Sequence, residues 1–433
     1  MSTGSLFTDD FKLSPYWWDA TPRPEISPGD LPERVDVAVI GSGYTGLSAA
    51  LQTARGGRST LVFDAEDAGW GCSTRNGGQI STSVKPNLAE LTKRHGPQTA
   101  RAILSDGRKS LKWIGEFVAE ENIECSFGVV GRFHAAHNTA AFRNLTESFA
   151  TEPEEFETGG WVVPRSEQRE ELGTDAYHGG VVYPRHAVLD PGKFHHGLLE
   201  RVLQAGAAIA THCPVTGIER MKQGFRLTTP RGILEARDVV VATNGYTGKI
   251  TPWQRRRVIP IGSYVIATEE LPPGMADRLF PKNRIVSDTR KVVYYYRLCS
   301  DRRRIIFGGR VSHGETDPIK SAAKLRDEIV RLFPELANIR VSHSWMGLVA
   351  YTFDTLAHAG KHDGLHYAMG YCGSGVAMAG YLGMRVGQQV LGLPEGRLGV
   401  EAAPFQTRPL YYGWPWFLAP SVSYYRWRDS RNR

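Results

Sequence analysis

Six residues at 41–46, GSGYTG, stand between an apolar run and a helical one with the spacing of a phosphate-cradling turn. Gly41 permits the tight turn, Gly43 lets a pyrophosphate approach the backbone, and Gly46 allows close helix packing. Ser42, Tyr44 and Thr45 fill the gaps, and a helix start there would aim free N–H groups at the anion. Asp64 comes about 20 residues later, where a carboxylate can bind a ribose diol and repel a 2′-phosphate. Ala65 follows it directly. These residues describe a site for an adenine dinucleotide that lacks the extra phosphate.

The elements that must position them can be read on either side. VDVAVI (35–40) is a short, β-branched apolar run, as expected for a buried parallel strand. Leu47, Ala50, Leu51 and Ala54 then recur at helical spacing, and Gly56-Gly57 supplies the stop. STLVFDAE (59–66) predicts a second strand that delivers Asp64 to its carboxyl end. Strand, glycine triplet, helix, strand and acid together predict a Rossmann-type unit, which by itself leaves NAD and FAD both open.

Three further glycine stretches bear on that choice. GWGCSTRNGGQI (69–80) sets Gly71, Cys72, Ser73, Arg75, Asn76, Gly77, Gly78 and Gln79 in one open, polar segment, suited to wrap a large polar ligand. DVVVATNGYTG (238–248) ends a buried-strand run in Thr243, Asn244 and Gly245, returning the chain beneath the nucleotide. Before it, FRLTTP and RGILEARDVV have the spacing of a short β-meander. HYAMGYCGSGVAMAGYLGMRVGQQVLG (366–392) runs a strand through Gly373, Ser374, Gly375 and Val376 into a long helix. That second helix N-terminus points at something electron-rich. A nicotinamide enzyme has no need of it, whereas it would stabilise negative charge at the C2 carbonyl of a reduced flavin.

These four segments, in this order and nearly end to end, resemble the D-amino-acid-oxidase-like (DAO) superfamily of FAD-dependent oxidoreductases. Within it the chain looks most like the gamma-glutamylputrescine oxidoreductase group. The closer likeness rests on SPYWWDATPRP, GWGCSTRNGGQ, IPIGSYVIATEEL (259–271), SDTRKVVYYYRL (287–298), FGGR (307–310), WMGLVAYTFDTLAHAG (345–360) and APFQTRPLYYGWPWF (403–417). The resemblance implies an α/β (α+β) fold: a Rossmann-type FAD-binding domain of the D-amino-acid-oxidase/glutathione-reductase-like class, and a substrate domain with a mixed, largely antiparallel sheet. It adds Val215 to the expected cofactor-binding residues. Residues 1–32 read as an arm over the body. Residues 33–86, 186–262 and 336–433 are expected in the FAD domain, and 87–185 and 263–335 in the substrate domain. Helices are predicted over 97–121 and 138–150, and strands around 125–134 and 259–310.

The implied reaction oxidises an amine C–N bond by hydride transfer to flavin N5. Imine hydrolysis and reoxidation by oxygen, giving hydrogen peroxide, follow. An alkylamine has a pKa of about 10.4, so deprotonating it at pH 7 costs roughly 4–5 kcal/mol. An apolar, aromatic-walled pocket would remove much of that cost by desolvating the cation. Tyr294-Tyr295-Tyr296 and Trp345 offer suitable walls. On a strand Tyr294 and Tyr296 face one way and Tyr295 the other, so one side lines the pocket while the opposite side packs or meets solvent, and Tyr294, Tyr296 and Trp345 are the candidates. Arg310 is the candidate for a substrate carboxylate or for the reduced flavin, and Arg75 is expected near the isoalloxazine ring. His134, His195, His196 and His313 stay unassigned. An amino-acid or secondary-amine dehydrogenase passing electrons to a quinone or carrier is the second reading. A flavin-bearing nucleic-acid-modifying protein is the third, prompted by the basic surface.

The group carries small residues where this chain has Cys72, Thr74 and Met346, which implies a reshaped pocket. Sarcosine oxidases of the same superfamily link flavin to a Cys where this chain has Val349, so non-covalent FAD is expected. They anchor a substrate carboxylate with a Lys where this chain has Ala377, which disfavours a simple α-amino acid.

At 433 residues, with 41% hydrophobic and 22% charged residues, the chain suits a soluble protein of two domains. The start MSTGSLFTDDFKLSPYWWDA lacks a basic head with an apolar stretch, so a cytoplasmic location is expected. No apolar segment approaches a membrane span. The five cysteines lie far apart without a CxxC pair, which argues against a structural zinc or a disulfide framework, and no metal is expected. The net charge is +7, with clusters at 255–257 and 302–304 and a basic tail. These read as solvated surface, so no nucleic-acid partner is expected. The sequence does not indicate an oligomeric state.

Overall fold

A computed structural model of the chain describes residues 6–26, 29–82, 84–309 and 317–431. Two large sheets organise it. The first runs Gly217–Arg220, Phe225–Thr229, Gly232–Val241, Arg34–Ile40, Thr60–Phe63, Ala208–Ala210, with Leu365–Met369 parallel to the end of Gly232–Val241. Strands Arg34–Ile40, Thr60–Phe63 and the edge strand Ala208–Ala210 are parallel, and the hydrophobic runs of the first two are buried on both faces. The expected meander is present, since Phe225–Thr229 pairs antiparallel with both Gly217–Arg220 and Gly232–Val241.

Helices Tyr44–Arg55 and Gly375–Val390 cover this sheet side by side. Small residues set their spacing. A Cβ on Gly383 would lie 2.3 Å from the Thr45 carbonyl oxygen, and one on Gly387 would lie 2.8 Å from that of Ala49. The two helix N-termini therefore end at the same carboxyl edge of the sheet, where open α/β sheets bind ligands.

The second sheet has nine strands, ordered Phe7–Lys12, Val341–Tyr351, Ile259–Thr268, Ile305–Gly309, Tyr294–Leu298, Ile285–Asp288, Arg132–Ala135, Gly180–Tyr183, Trp161–Val163. It is mixed and mostly antiparallel. Residues 7–12 of the N-terminal arm form its parallel edge strand. Strand Val341–Tyr351 pairs along Ile259–Thr268, so the sheet takes in segments expected with the flavin part. One face packs on helix Pro318–Leu332 through Phe133, Tyr296, Phe307, Leu325 and Phe333. The other face carries Trp17, Val265, Ile306 and Trp345.

Helices Pro97–Glu120 and Thr139–Ala150 fall within a residue of the predicted spans; Pro97 and the Asn138 cap start them. The strand expected at 125–134 is shorter, Arg132–Ala135. Ser126 and Gly131 adopt φ of 53° and 73°, which breaks the extended backbone before it. Among the described residues no helix is long and apolar enough to cross a membrane, and no three His, Cys, Asp or Glu are grouped to hold a metal. All five cysteines are free thiols.

Candidate active site

The glycine triplet lies where the central strands end. Gly41 takes φ +107°, and a Cβ there would sit 2.9 Å from the Ala242 oxygen. A Cβ on Gly46 would come 1.8 Å from the Gly41 oxygen, so no side chain fits. Helix Tyr44–Arg55 starts at Gly43 without a side-chain cap, and its Tyr44 N–H donates to Ser73 Oγ at 2.9 Å. The Asp64 carboxylate accepts from Ser42 N at 2.8 Å, from the Ser42 hydroxyl, and from Glu66 N at 3.1 Å. Ala65 beside it is exposed, whereas Val215 is buried among Val35, Phe63 and Cys213. Thr45 Oγ1 shares a hydrogen bond with Tyr371 Oη. Beneath the turn, His195 Nε2 donates to the Ser42 carbonyl at 2.8 Å. Burial pushes its pKa down to about 4, leaving the imidazole neutral.

Segment 69–79 folds over this helix start and is held from several elements. Trp17 Nε1 donates to Asn76 O at 2.9 Å, Trp18 Nε1 to Thr74 Oγ1 at 2.8 Å, and Trp345 Nε1 to Arg75 O at 2.9 Å. The buried Arg297 donates from Nε to Gly77 O at 2.8 Å and from Nη2 to Leu189 O at 2.7 Å. Burial lowers its pKa to about 10, so it remains a cation at neutral pH. The Arg75 guanidinium lies over the Trp18 and Trp70 rings at 4.7 and 4.3 Å, and donates to Trp70 O and Met346 O at 2.6 and 3.2 Å. Asn76 Nδ2 donates to Cys72 O and Ser73 O, its Oδ1 accepts from Gly78 N, and Gln79 Nε2 donates to Tyr296 O. The side chains of Arg75, Asn76 and Gln79 thus brace the loop itself. Gly78 takes φ +67°, and a Cβ there would clash with the Leu189 oxygen at 2.1 Å. Cys72 Sγ donates to Leu348 O at 2.9 Å, and burial pushes the thiol up to about 11.

The remaining glycine stretches close on the same region. A Cβ on Gly71 would meet the Tyr246 ring at 3.2 Å, and one on Gly245 the Leu348 oxygen at 2.7 Å. Thr243 Oγ1 bonds Thr247 Oγ1 at 2.8 Å, and Asn244 Oδ1 accepts from Gly370 N at 2.9 Å. Helix Gly375–Val390 begins after Gly373 and Ser374, also without a side-chain cap, and Val376 turns into the core. Cys372 N donates to Ala350 O at 2.9 Å and ties that start to the nine-stranded sheet.

Sheet parity identifies the surface opposite the loop. A Cβ on Gly347 would point at Cys72 Sγ (2.9 Å) and Arg75 Cβ (3.2 Å). Trp345, Val349 and Tyr351 share that face, as do Ile261 and Ser263 across from Val349 and Gly347. Tyr295 joins them: its Oη bonds Ser263 Oγ at 3.0 Å, and its ring would meet a Cβ on Gly77 at 2.9 Å. Ile261, Ser263, Tyr295, Val349 and Tyr351 are all half-buried, which leaves a strip for a ligand edge between sheet and loop. Lys85 stands at one end, donating to Tyr351 Oη at 3.1 Å with Nζ 4.0 Å from a Gly373 Cβ.

The expected wall therefore needs correction. Tyr294 and Tyr296 do share a face, but it is the core face. Tyr296 is fully buried, bonds Tyr177 Oη at 3.1 Å and stacks on Phe307 at 5.0 Å. Tyr294 lies 5.6 Å from the same Phe307 ring. Tyr295 is the tyrosine that faces the glycine loop. Trp345 lies on the loop side but is 1% exposed, so it holds the loop instead of forming an open wall. Arg310 lies outside the described residues. Trp17, Trp18, Arg297 and His195 had no role from sequence reasoning; the adjacent indoles of SPYWWDATPRP and an Arg inside an apolar strand were the available signals.

The donor set fits a flavin dinucleotide. Neither helix start is capped by the side chain of its own N-cap residue, glycines admit close approach at each turn, and one carboxylate stands at the end of the second parallel strand.

Comparison with known proteins agrees. Residues 36–389 match the family described as "DAO: FAD dependent oxidoreductase". The chain is 30% identical over 407 residues to the gamma-glutamylputrescine oxidoreductase of Escherichia coli (strain K12), covering 91% of this chain and 92% of that one. It is 31% identical over 389 residues to a probable oxidoreductase, OrdL, of Rhizobium meliloti (strain 1021), covering 87% and 88%. The fold is similar to that of a glycine oxidase from Geobacillus kaustophilus, with a TM-score of 0.72 at 19% identity over 87% of this chain and 99% of that one.

Proposed function

The chain belongs to the DAO family of FAD-dependent oxidoreductases, which act on amine and amino-acid C–N bonds, and we propose that its substrate is a substituted amine of the gamma-glutamylputrescine kind. FAD, when bound, supplies the acceptor for the hydride leaving the carbon beside the nitrogen. Helix Tyr44–Arg55, Asp64 and the 69–79 loop would hold the dinucleotide, and the start of helix Gly375–Val390 would sit by the ring's electron-rich edge.

The observation that carries the substrate reading is the half-buried strip of Ile261, Ser263, Tyr295, Val349 and Tyr351 facing the loop. It offers aromatic and apolar contact with no carboxylate, so it desolvates an ammonium and favours the neutral amine. Ala377 is buried in the first turn of helix Gly375–Val390 and supplies no cation for an α-carboxylate held there. Lys85 stands at the end of the strip and would meet a carboxylate carried further from the reacting nitrogen, as a γ-glutamyl group carries it. Cys72, held as a neutral thiol on a carbonyl, is no nucleophile, which supports non-covalent FAD.

Anaerobic mixing of the holoprotein with gamma-glutamylputrescine, putrescine, glycine and proline tests this reading. Rapid flavin bleaching by the first alone is expected. Bleaching by glycine or proline in its place would overturn it. Peroxide formed on admitting air identifies an oxidase; bleaching that persists in air identifies a dehydrogenase using another acceptor.

A further inference from the structure

The basic cluster at 255–257 and the aromatic tail stand some 150 residues apart in sequence, yet the structure joins them. Tyr411 Oη donates to Val258 O at 2.5 Å, and Thr407 Oγ1 to Arg256 O at 2.5 Å. Tyr411 and Phe417 turn inward against Phe353. The alternate residues turn outward: Leu410, Tyr412, Trp414 and Trp416 are 72%, 61%, 74% and 60% exposed. The Arg256 guanidinium lies 4.7 Å over the Tyr412 ring, and Arg255 lies against Gly413. Helix Leu418–Arg431 continues the strip with exposed Tyr424, while Asp429 is turned to the body, accepting from Lys291 N and Val292 N.

Soluble proteins seldom expose several large apolar side chains together without a partner for them. Arg255 and Arg256 lie against Gly413 and Tyr412, and Arg408 and Arg428 are exposed on either side of the strip in sequence, so it is cationic as well as aromatic. Indole and phenol rings interleaved with arginine suit the headgroup level of a bilayer, where the ring is half-desolvated and the cation meets lipid phosphate. A two-fold contact between copies would set these arginines against each other. Stacking on nucleic-acid bases would leave Leu410, one of the most exposed residues of the set, without a role.

We propose that this face docks the protein peripherally on an anionic phospholipid surface, with Leu410, Tyr412, Trp414 and Trp416 entering the interface and Arg255 and Arg256 pairing with lipid phosphates. Co-sedimentation of the holoprotein with phosphatidylglycerol/phosphatidylcholine vesicles, and with phosphatidylcholine alone, tests it. Binding to the anionic vesicles only, weakened by salt above roughly 0.1 M, is expected. Each arginine near such a surface contributes about 1 kcal/mol, so Arg255→Ser/Arg256→Ser should weaken binding about 25-fold. Trp414→Ser/Trp416→Ser should weaken it by roughly tenfold or more. Trp414 and Trp416 are exposed and Arg255 and Arg256 half-buried, so flavin absorbance and far-UV circular dichroism matching the parent are required of both variants as the check that they are folded. Equal binding to neutral vesicles overturns the proposal. So does no vesicle binding at all, whether accompanied by binding to poly(U) RNA or by a dimer that the tryptophan variant dissociates.

Discussion

Trp17 offers the sharpest test of how the flavin loop is held. Its indole is fully buried against Val265, Ile306 and Trp345, and its Nε1 donates to Asn76 O at 2.9 Å inside the loop. Trp17→Phe keeps most of the buried ring and removes the donor. Leaving a buried carbonyl unpaired costs about 1–3 kcal/mol. Trp17→Ala removes the ring as well and should cost about 3–5 kcal/mol from the cavity alone, a large part of a domain's typical stability. Urea unfolding of the apoprotein measures both losses. Titration of the refolded apoprotein with FAD, followed by flavin fluorescence, measures what the loop contributes to binding. If the loop wraps the cofactor, Trp17→Phe should also raise the FAD Kd by about tenfold, because the ligand must then order a segment the protein no longer holds. A Phe variant with stability within about 0.5 kcal/mol of the parent and an unchanged Kd would refute the idea that this indole holds the loop.

Three other substitutions separate roles that the structure distinguishes. Tyr295→Ala should lower kcat/KM at least tenfold with little loss of stability, whereas Tyr296→Ala should cost about 3–5 kcal/mol in urea unfolding, as for a buried aromatic; the opposite pattern would put the pocket on the wrong face of the sheet. His195 has a folded pKa of about 4 against an ordinary value near 6.5, so the unfolded chain binds the extra proton between these limits. Its contribution is complete above pH 6.5 and is lost as pH falls towards 4, and in His195→Gln the urea midpoint should fall less steeply across that window; an unaltered slope would remove His195 as the cause. Lys85→Met should raise KM for gamma-glutamylputrescine about tenfold and leave kcat largely intact, with Lys85→Arg recovering much of the loss; a fall in kcat alone would mean that Lys85 does not bind the carboxylate.

The first nucleotide-binding unit was legible because its requirements are local. Gly41 and Gly46 are needed where a carbonyl would occupy any side chain's space, and the strand, helix and acid follow within one βαβ span. Helices over 97–120 and 139–150 carried their own start signals in Pro97 and Asn138. The residues that hold the loop could not be found this way. Trp17, Arg297 and Trp345 reach 69–79 from three distant segments, and a buried indole or guanidinium has the same local pattern whether it grips a loop or fills a core. The tyrosine triplet shows the limit in miniature. Alternation predicts that Tyr295 opposes its two neighbours, and it does; which side meets the loop is decided by Phe307 and Tyr177 on one face and Gly77 and Gly308 on the other.

Those restraints have a physical reason to be remote. A segment with glycines at 69, 71, 77 and 78 loses more backbone freedom on ordering than most, so its own residues cannot hold it in one conformation. Rigidity has to come from donors already fixed elsewhere. The nine-stranded sheet supplies Trp345 and Arg297, and the N-terminal arm, anchored by Phe7–Lys12 along Val341–Tyr351, supplies Trp17 and Trp18. The same sheet face that braces the loop also presents Tyr295, Ser263 and Val349 beside it. Loop and substrate wall are therefore positioned by one rigid element, and a change that loosens the brace should disturb cofactor binding and substrate binding together.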